Sequence, residues 1–399
     1  MGEGFIVRKG GVVTEQTLAP SILDFSVASD TSIKFKLRNN DALTATLVYR
    51  FSSLTGDGES ISLATNTTSS EITLTGLTLP GTLFVTANAT GKVKSNVVEE
   101  EFALVYTAAT GGTTEEYNLD NKRYKSHTFT SNGTFEVTTV GDATDDRNKV
   151  DYLIIAGGGG GGEGGGGAGG YRTTFGTQGG LGTLDPKVTV TATSYAVHIG
   201  AGGAGGLLPS NADVTGNNGS NSSVAFPTTI TSNGGGSGGT QTGTTGLPQS
   251  GGSGGGGSGS SISVSGASGT ANQGHAGGNN FAQTTFFPAG GGGGAGSVGS
   301  AAASQTGGNG GAGLASTIRT GSSETRAGGG GGSVSSGSDN GTGGSGGGGN
   351  GSFGSTAATA GTVNTGSGGG GVKDSNSVGT SGAGGSGIVV IRYEIAPSV

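Results

Sequence analysis

Cysteine and tryptophan are absent from the 399 residues, and methionine occurs once. Without cysteine there is no disulfide framework and no thiolate metal site. Charge is scarce too, at 11% Asp, Glu, Lys and Arg. The net charge of −7 is uneven: residues 1–156 hold 13 basic and 19 acidic side chains, residues 157–387 only 5 and 6. No basic stripe is available to neutralise phosphates, which argues against nucleic acid as a partner. No apolar run approaches the ~20 residues of a membrane-spanning helix, so the chain is not expected to be membrane-embedded. The stretch from Met1 to Arg8 lacks the apolar region of a secretory signal. Release by lysis or folding inside a cell is therefore expected.

Catalytic and metal-binding patterns are missing as well. His127, His198 and His275 fall in different segments without ligand spacing. Asp142, Asp145 and Asp146 cluster without the spacing of a calcium loop, and read as a solvated turn. The glycine runs lack the lysine and following helix of a phosphate-cradling loop. No Ser-His-Asp set can be assembled. The chain is expected to be non-enzymatic, with no metal and no cofactor.

What the sequence has in excess is glycine, 94 residues, 81 of them in the 243 from Gly157 onward. Before that point the chain reads as all-β. Residues 1–17 form a leader whose Phe5, Ile6, Val7 and Arg8 begin a short strand before a Gly-Gly turn. Too small for a core, it is expected either to dock on a partner, a neighbouring chain or another protein, or to fray as a disordered terminus. Residues 18–110 hold seven short alternating strands: 22–27, 32–37, 44–51, 61–63, 71–74, 82–88 and 97–104. That spacing fits an Ig-like or fibronectin-III-like sandwich used as a spacer. Residues 111–156 form a β base, with a hairpin expected at Asn132-Gly133. Its last strand, Val150 to Ala156, runs into glycines. The closing strand, in residues 388–399, emerges from glycines as a mirror image. The two are predicted to pair, so the insert at 157–387 leaves and re-enters one base.

A flexible linker is the default reading of Gly/Ser tracts. Three features oppose it: the tracts recur, apolar strands such as Tyr195 to Ile199 interrupt them, and matched strands bracket them. Collagen is rejected because there is no strict G-X-Y period and proline is scarce. The ordered alternative is a bundle of extended threefold polyglycine-II helices. Strands without Cβ approach closely and hydrogen-bond to one another. Scattered Ala and Ser would face outward or fill gaps.

These residues carry a resemblance. The string from Val150 to Ala156 followed by GGGGGGEGGGGAGGYR resembles the glycine-rich domain of tailed-phage tail and fibre proteins. So do His198 to Gly203, Gly307 to Gly313 and Gly384 to Tyr393. The chain is also similar in kind to the tip adhesin of T-even-type phage fibres, from which it departs by carrying its own sandwich and leader. The resemblance implies a virion tail location, contact with other tail proteins, a homotrimer, and attachment to a host-surface receptor, polysaccharide or outer-membrane protein, through loops at the bundle's far end. A purely structural virion spacer or decoration is the alternative. Candidate receptor-binding residues are Asn279, Asn280, Phe281, Gln283, Phe286 and Phe287 in an aromatic stretch between glycine tracts. Tyr171, Arg172, Arg319 and Arg326 are further candidates. A packing role for the phenylalanines stands beside the binding role.

Overall fold

A computed structural model describes residues 6–9, 12–29, 31–54, 58–77, 79–90, 92–208, 215–240, 246–335, 339–353, 356–373 and 379–397. The protein is all-β, with no α-helix among the described residues. It divides into two compact units, residues 1–106 with 141–148, and residues 107–140 with 149–399.

The first unit holds β1 (Ile6–Lys9), β2 (Val12–Glu15), β3 (Ser21–Ser29), β4 (Ser32–Arg38), β5 (Ala45–Phe51), β6 (Glu59–Leu63), β7 (Ile72–Thr75), β8 (Gly81–Ala89) and β9 (Val98–Phe102). All seven strands expected after the leader are present. They form a three-stranded sheet, β3-β4-β7, and a four-stranded sheet, β6-β5-β8-β9. Alternation explains their packing: in β5, Ala45, Leu47, Tyr49 and Phe51 are buried while Thr46 and Arg50 face water. Both sheets feed one cluster that includes Phe35, Leu37, Leu47, Phe51, Leu83 and Phe102. A corner at Asn39 and Asp41 ties the unit together. Buried Asp41 accepts from the Leu18 N–H at 2.9 Å and the Leu43 N–H at 3.0 Å, and pairs with Lys92 at 3.1 Å. In the leader, β1 and β2 pair antiparallel. Ile6, Val7 and Arg8 lie in β1, whereas Phe5 lies outside the described residues.

The second unit holds β10 (Ala108–Thr110), β11 (Thr113–Leu119), β12 (Lys122–Phe129), β13 (Gly133–Thr139), β14 (Lys149–Ile155), β15 (Tyr171–Thr173), β16 (Val188–Thr189), β17 (Ser194–His198), β18 (Leu207–Leu208), β19 (Ser222–Val224) and β20 (Ile230–Ser232). After them come β21 (Leu314–Ser316), β22 (Glu324–Arg326), β23 (Ser352–Phe353), β24 (Val372–Lys373), β25 (Gly379–Thr380) and β26 (Ile388–Ile395). The predicted pairing is present: β14 and β26 run antiparallel, with Ile155 opposite Ile388. They lie inside the sheet β11-β12-β26-β14-β15, and a second sheet runs β10-β13-β17-β19-β20. Phe129, Phe135, Tyr152, Ile154, Tyr195, Val389 and Ile391 form a cluster drawn from both sheets. The opposite face of β14 and β26, through Leu153, Ile155, Ile388 and Val390, meets Ala168, Ala295 and Ile318 of the insert. Burial on both faces explains why these two strands are continuously apolar.

The hairpin expected at Asn132-Gly133 does not form. β12 pairs with β11 and β26, while β13 pairs with β10 and β17. The step instead carries the chain from one sheet to the other. Phe129 and Phe135 both enter the shared cluster, and burying two such rings outweighs a local turn preference. The Asn132 side chain is used differently, accepting from the Ile199 N–H at 2.8 Å.

The glycine insert is ordered by hydrogen bonds between its own tracts, and the bonds repeat every three residues. Gly157 and Gly160 donate to Ser220 and Asn217, Gly158 and Gly161 to Gly385 and Gly382, and Gly159 and Gly162 to Gly167 and Gly164. In return Gly235 and Gly238 donate to Gly157 and Gly160, Gly203 and Gly206 to Gly158 and Gly161, and Gly369 and Val372 to Gly159 and Gly162. Residues three apart thus address the same neighbour. Antiparallel neighbours take the N–H groups, and parallel neighbours supply the carbonyls' donors. The period recurs in 290–295, where Gly290 and Gly293 reach Gly257 and Gly254, and Gly291 and Gly294 reach Ser300 and Ser297. One hydrogen bond, worth about 0.5–1.5 kcal/mol, does not offset the backbone entropy of about 1–2 kcal/mol per residue. An isolated tract therefore cannot order, whereas a tract enclosed by others saturates both its donors and its acceptors.

Glycine spacing follows depth in this arrangement. A Cβ added at any of residues 157–162 would fall within 3.0 Å of a neighbouring backbone carbonyl, so the innermost run is all glycine. The outer run from Ala201 to Gly206 needs glycine at two positions in three, and Ala201 and Ala204 point into solvent. At 216–220 only Gly216 and Gly219 face inward, while Asn217, Asn218 and Ser220 are exposed. Ser237, Ser253 and Ser367 are buried, filling gaps.

Candidate recognition surface

The tract register defines a second end of the insert, away from the two sheets. The chain leaves β14, runs through 157–162, turns at Glu163 and returns along 164–170 to β15. Around that turn, Val372 donates to Gly162, Ser333 donates to Glu163, and Glu163 donates to Gly239. The aromatic stretch belongs to this same end: Ala289 donates to Ser333, and Ser335 donates to Phe286.

One charged pair is built into the turn. Glu163 is the single charged residue between Asp151 and Arg172, and it is buried. It pairs with the ammonium of Lys373, which is also buried and lies 210 positions further along. The Lys373 Nζ sits 5.2 Å from the centre of the Phe287 ring, a cation–π arrangement. Lys373 thus joins the innermost turn to the aromatic stretch. Phe287 itself takes a positive φ of 43°.

The candidate residues separate into two groups. Asn279 is exposed, its Oδ1 accepting from the Gly266 N–H at 3.0 Å. Phe281 is 42% exposed, Phe286 and Phe287 are half-buried, and half-buried Gln283 donates to the Ser304 carbonyl. These surround one loop. Asn280 is buried and serves structure: its Oδ1 accepts from the Val264 N–H at 2.8 Å and its Nδ2 donates to the Ile262 carbonyl at 2.9 Å. Tyr171 is fully buried in the cluster beside β14, and burial pushes its phenol up to about 12. Arg172 is held by Asp185 at 2.9 Å. Arg326 is buried and bound to Glu324 at 3.0 Å. Tyr171, Arg172 and Arg326 therefore pack and orient the chain rather than present a free face. Arg319 and Arg326 do meet, at a cleft on the sheet side of the insert.

The Glu163–Lys373 pair was not read from the sequence. A lone glutamate interrupting a glycine run was its one visible signal. Its partner is separated by more than half the chain, and the register of many tracts decides the meeting.

Among the described residues no group of His, Asp and Glu converges as a metal ligand set. No helix among them is long and apolar enough to cross a membrane. Compared with known families, residues 130–394 match one described as a glycine-rich domain. No curated protein matches the chain.

Proposed function

Because the chain belongs to the glycine-rich domain family, we propose that its insert is a polyglycine-II bundle serving as the adhesive end of a tailed-phage fibre. The threefold period of the inter-tract hydrogen bonds supports the bundle. The leader docks on other tail proteins through Ile6, Val7 and Arg8, and the two-sheet unit is an Ig-like spacer. The fibre is a homotrimer. It attaches to the host surface, without chemistry of its own, through the loop carrying Phe281, Gln283, Phe286 and Phe287.

The observation that carries this reading is the position of that loop. It lies at the end opposite the sheets, with Phe281 exposed and Phe287 braced by buried Lys373. An apolar ring held out from a nearly uncharged surface is what a recognition site needs and what a spacer does not. Competition tests it: the purified full chain should block adsorption of the phage that carries it, and a Phe281→Ala/Phe286→Ala variant should not. Equal blocking by both proteins rejects the loop as the site. No blocking by either leaves the structural-spacer reading.

A further inference from the structure

A cleft of about 500 Å³ opens on the sheet side of the insert, within the second unit. Its walls come from segments far apart in sequence: Thr128 in β12 and Thr130 just after it, Glu324 to Arg326 on β22, and Val363 to Thr365, with Arg319 and Ile388 completing it. The size falls in the usual range for small-molecule sites.

The charges in this cleft are matched before any ligand arrives. Arg319 Nε lies 2.9 Å and Nη2 2.5 Å from the Glu324 carboxylate, and Arg319 also pairs with Glu115. Arg326 holds Glu324 from the other side at 3.0 Å. Burial works against ionisation of Glu324, but the bonds from both guanidinium groups hold its carboxyl below the usual range. Two cations and two anions leave no net charge to capture a phosphate or a free carboxylate. β21 and β22 pair antiparallel, and the segment joining them is seated on the base: Tyr117 donates to the Ile318 carbonyl, and Ser126 Oγ to the Arg319 carbonyl at 2.6 Å.

What remains accessible is a mixture of donors and acceptors beside one apolar wall. Arg319 and Glu324 keep 27% and 26% of their side chains exposed. Thr130 and Thr325 are exposed, Asn364 and Thr365 half-buried, and Val363 is 68% exposed. A saccharide ring has the complementary surface, with hydroxyls around its edge and C–H groups on its face. We propose that this cleft is a binding site for an uncharged saccharide. It is separate from the aromatic loop and does not depend on that loop's role.

Saturation-transfer NMR on the full chain tests this, with maltose, lactose and cellobiose as neutral probes and digalacturonate as the anionic one. At least one neutral disaccharide should receive transfer. Val363→Trp fills the cleft from an exposed position, and should weaken that binding by at least about tenfold. Thr325→Ala should weaken it about fivefold, the worth of one hydrogen bond. Phe281→Ala should leave it unchanged, which separates this site from the loop. Absence of transfer to every neutral probe overturns the proposal, as does binding that survives Val363→Trp, binding lost with Phe281→Ala, or stronger transfer to digalacturonate.

Discussion

Replacing Gly165 with alanine tests the packing of the insert at its centre. Gly165 donates to the Gly290 carbonyl at 3.1 Å and accepts from the Gly256 N–H at 2.8 Å. An added methyl would fall within 3.0 Å of the Gly330 carbonyl and of the Gly292 nitrogen. Those two groups are themselves bonded, Gly292 N–H to Gly330 O at 2.8 Å. Relieving the clash disturbs all three bonds, at about 0.5–1.5 kcal/mol each. Overpacking adds about 1–3 kcal/mol. The smaller entropy of an alanine-bearing unfolded chain returns about 0.4–1 kcal/mol. The net loss is about 2–7 kcal/mol, against a whole-domain stability of about 5–15 kcal/mol. The control is Ala383→Gly, at an exposed position in an outer tract, where only the backbone entropy of about 0.5–1 kcal/mol is lost. Urea unfolding followed by circular dichroism measures both. If Gly165→Ala costs no more than Ala383→Gly, the tracts are not in contact and the threefold packing is wrong.

Removing one member of the buried pair should be costly: Lys373→Met takes away the ammonium that pairs with the Glu163 carboxylate, for about 3–5 kcal/mol. The Glu163→Gln/Lys373→Met double variant should regain most of that loss in a double-mutant cycle by urea unfolding. Acid should weaken the second unit through His127. Burial pushes this histidine below its ordinary 6.5, while the Gly111 carbonyl at 2.6 Å partly opposes that. Because the folded state favours the neutral ring, the unfolded chain takes up the proton first. Stability is therefore full above pH 6.5 and falls as pH drops from there towards the depressed folded value. His127→Gln should abolish this part of the loss in a Tm-versus-pH series. In the first unit, Asp41→Ala removes the buried carboxylate that accepts from the Leu18 and Leu43 amides and pairs with Lys92. A loss of about 3–5 kcal/mol is expected in calorimetry.

Strand positions were legible wherever local alternation and burial agree. The seven strands of the first unit, and the β14–β26 pair with its mirrored glycine junctions, followed from period-two patterning and β-branched runs. The Asn132-Gly133 step departs from its turn signal because turn preference is local while the competing burial of Phe129 and Phe135 is not. The burial of Tyr171 and Arg326 is not legible in the sequence, because composition cannot say which face of a tract is covered. A strict G-X-Y period is absent from the insert as a whole, but GAGGAGG at 200–206 and Gly216 with Gly219 carry the threefold repeat of an outer tract.

The sequence by itself determined that the insert could pack backbone against backbone, because only residues without Cβ permit that approach, and local glycine spacing encodes how many faces of each tract are enclosed. It also determined that β14 and β26 would be interior strands, through their unbroken apolar runs. Only the tertiary structure decided which tract neighbours which, and hence that Glu163 meets Lys373 and that Arg319 and Arg326 share one cleft. Glycine tracts are nearly identical to one another, so their sequences do not select partners. The matching of many hydrogen bonds at once, anchored on two paired strands, selects the register.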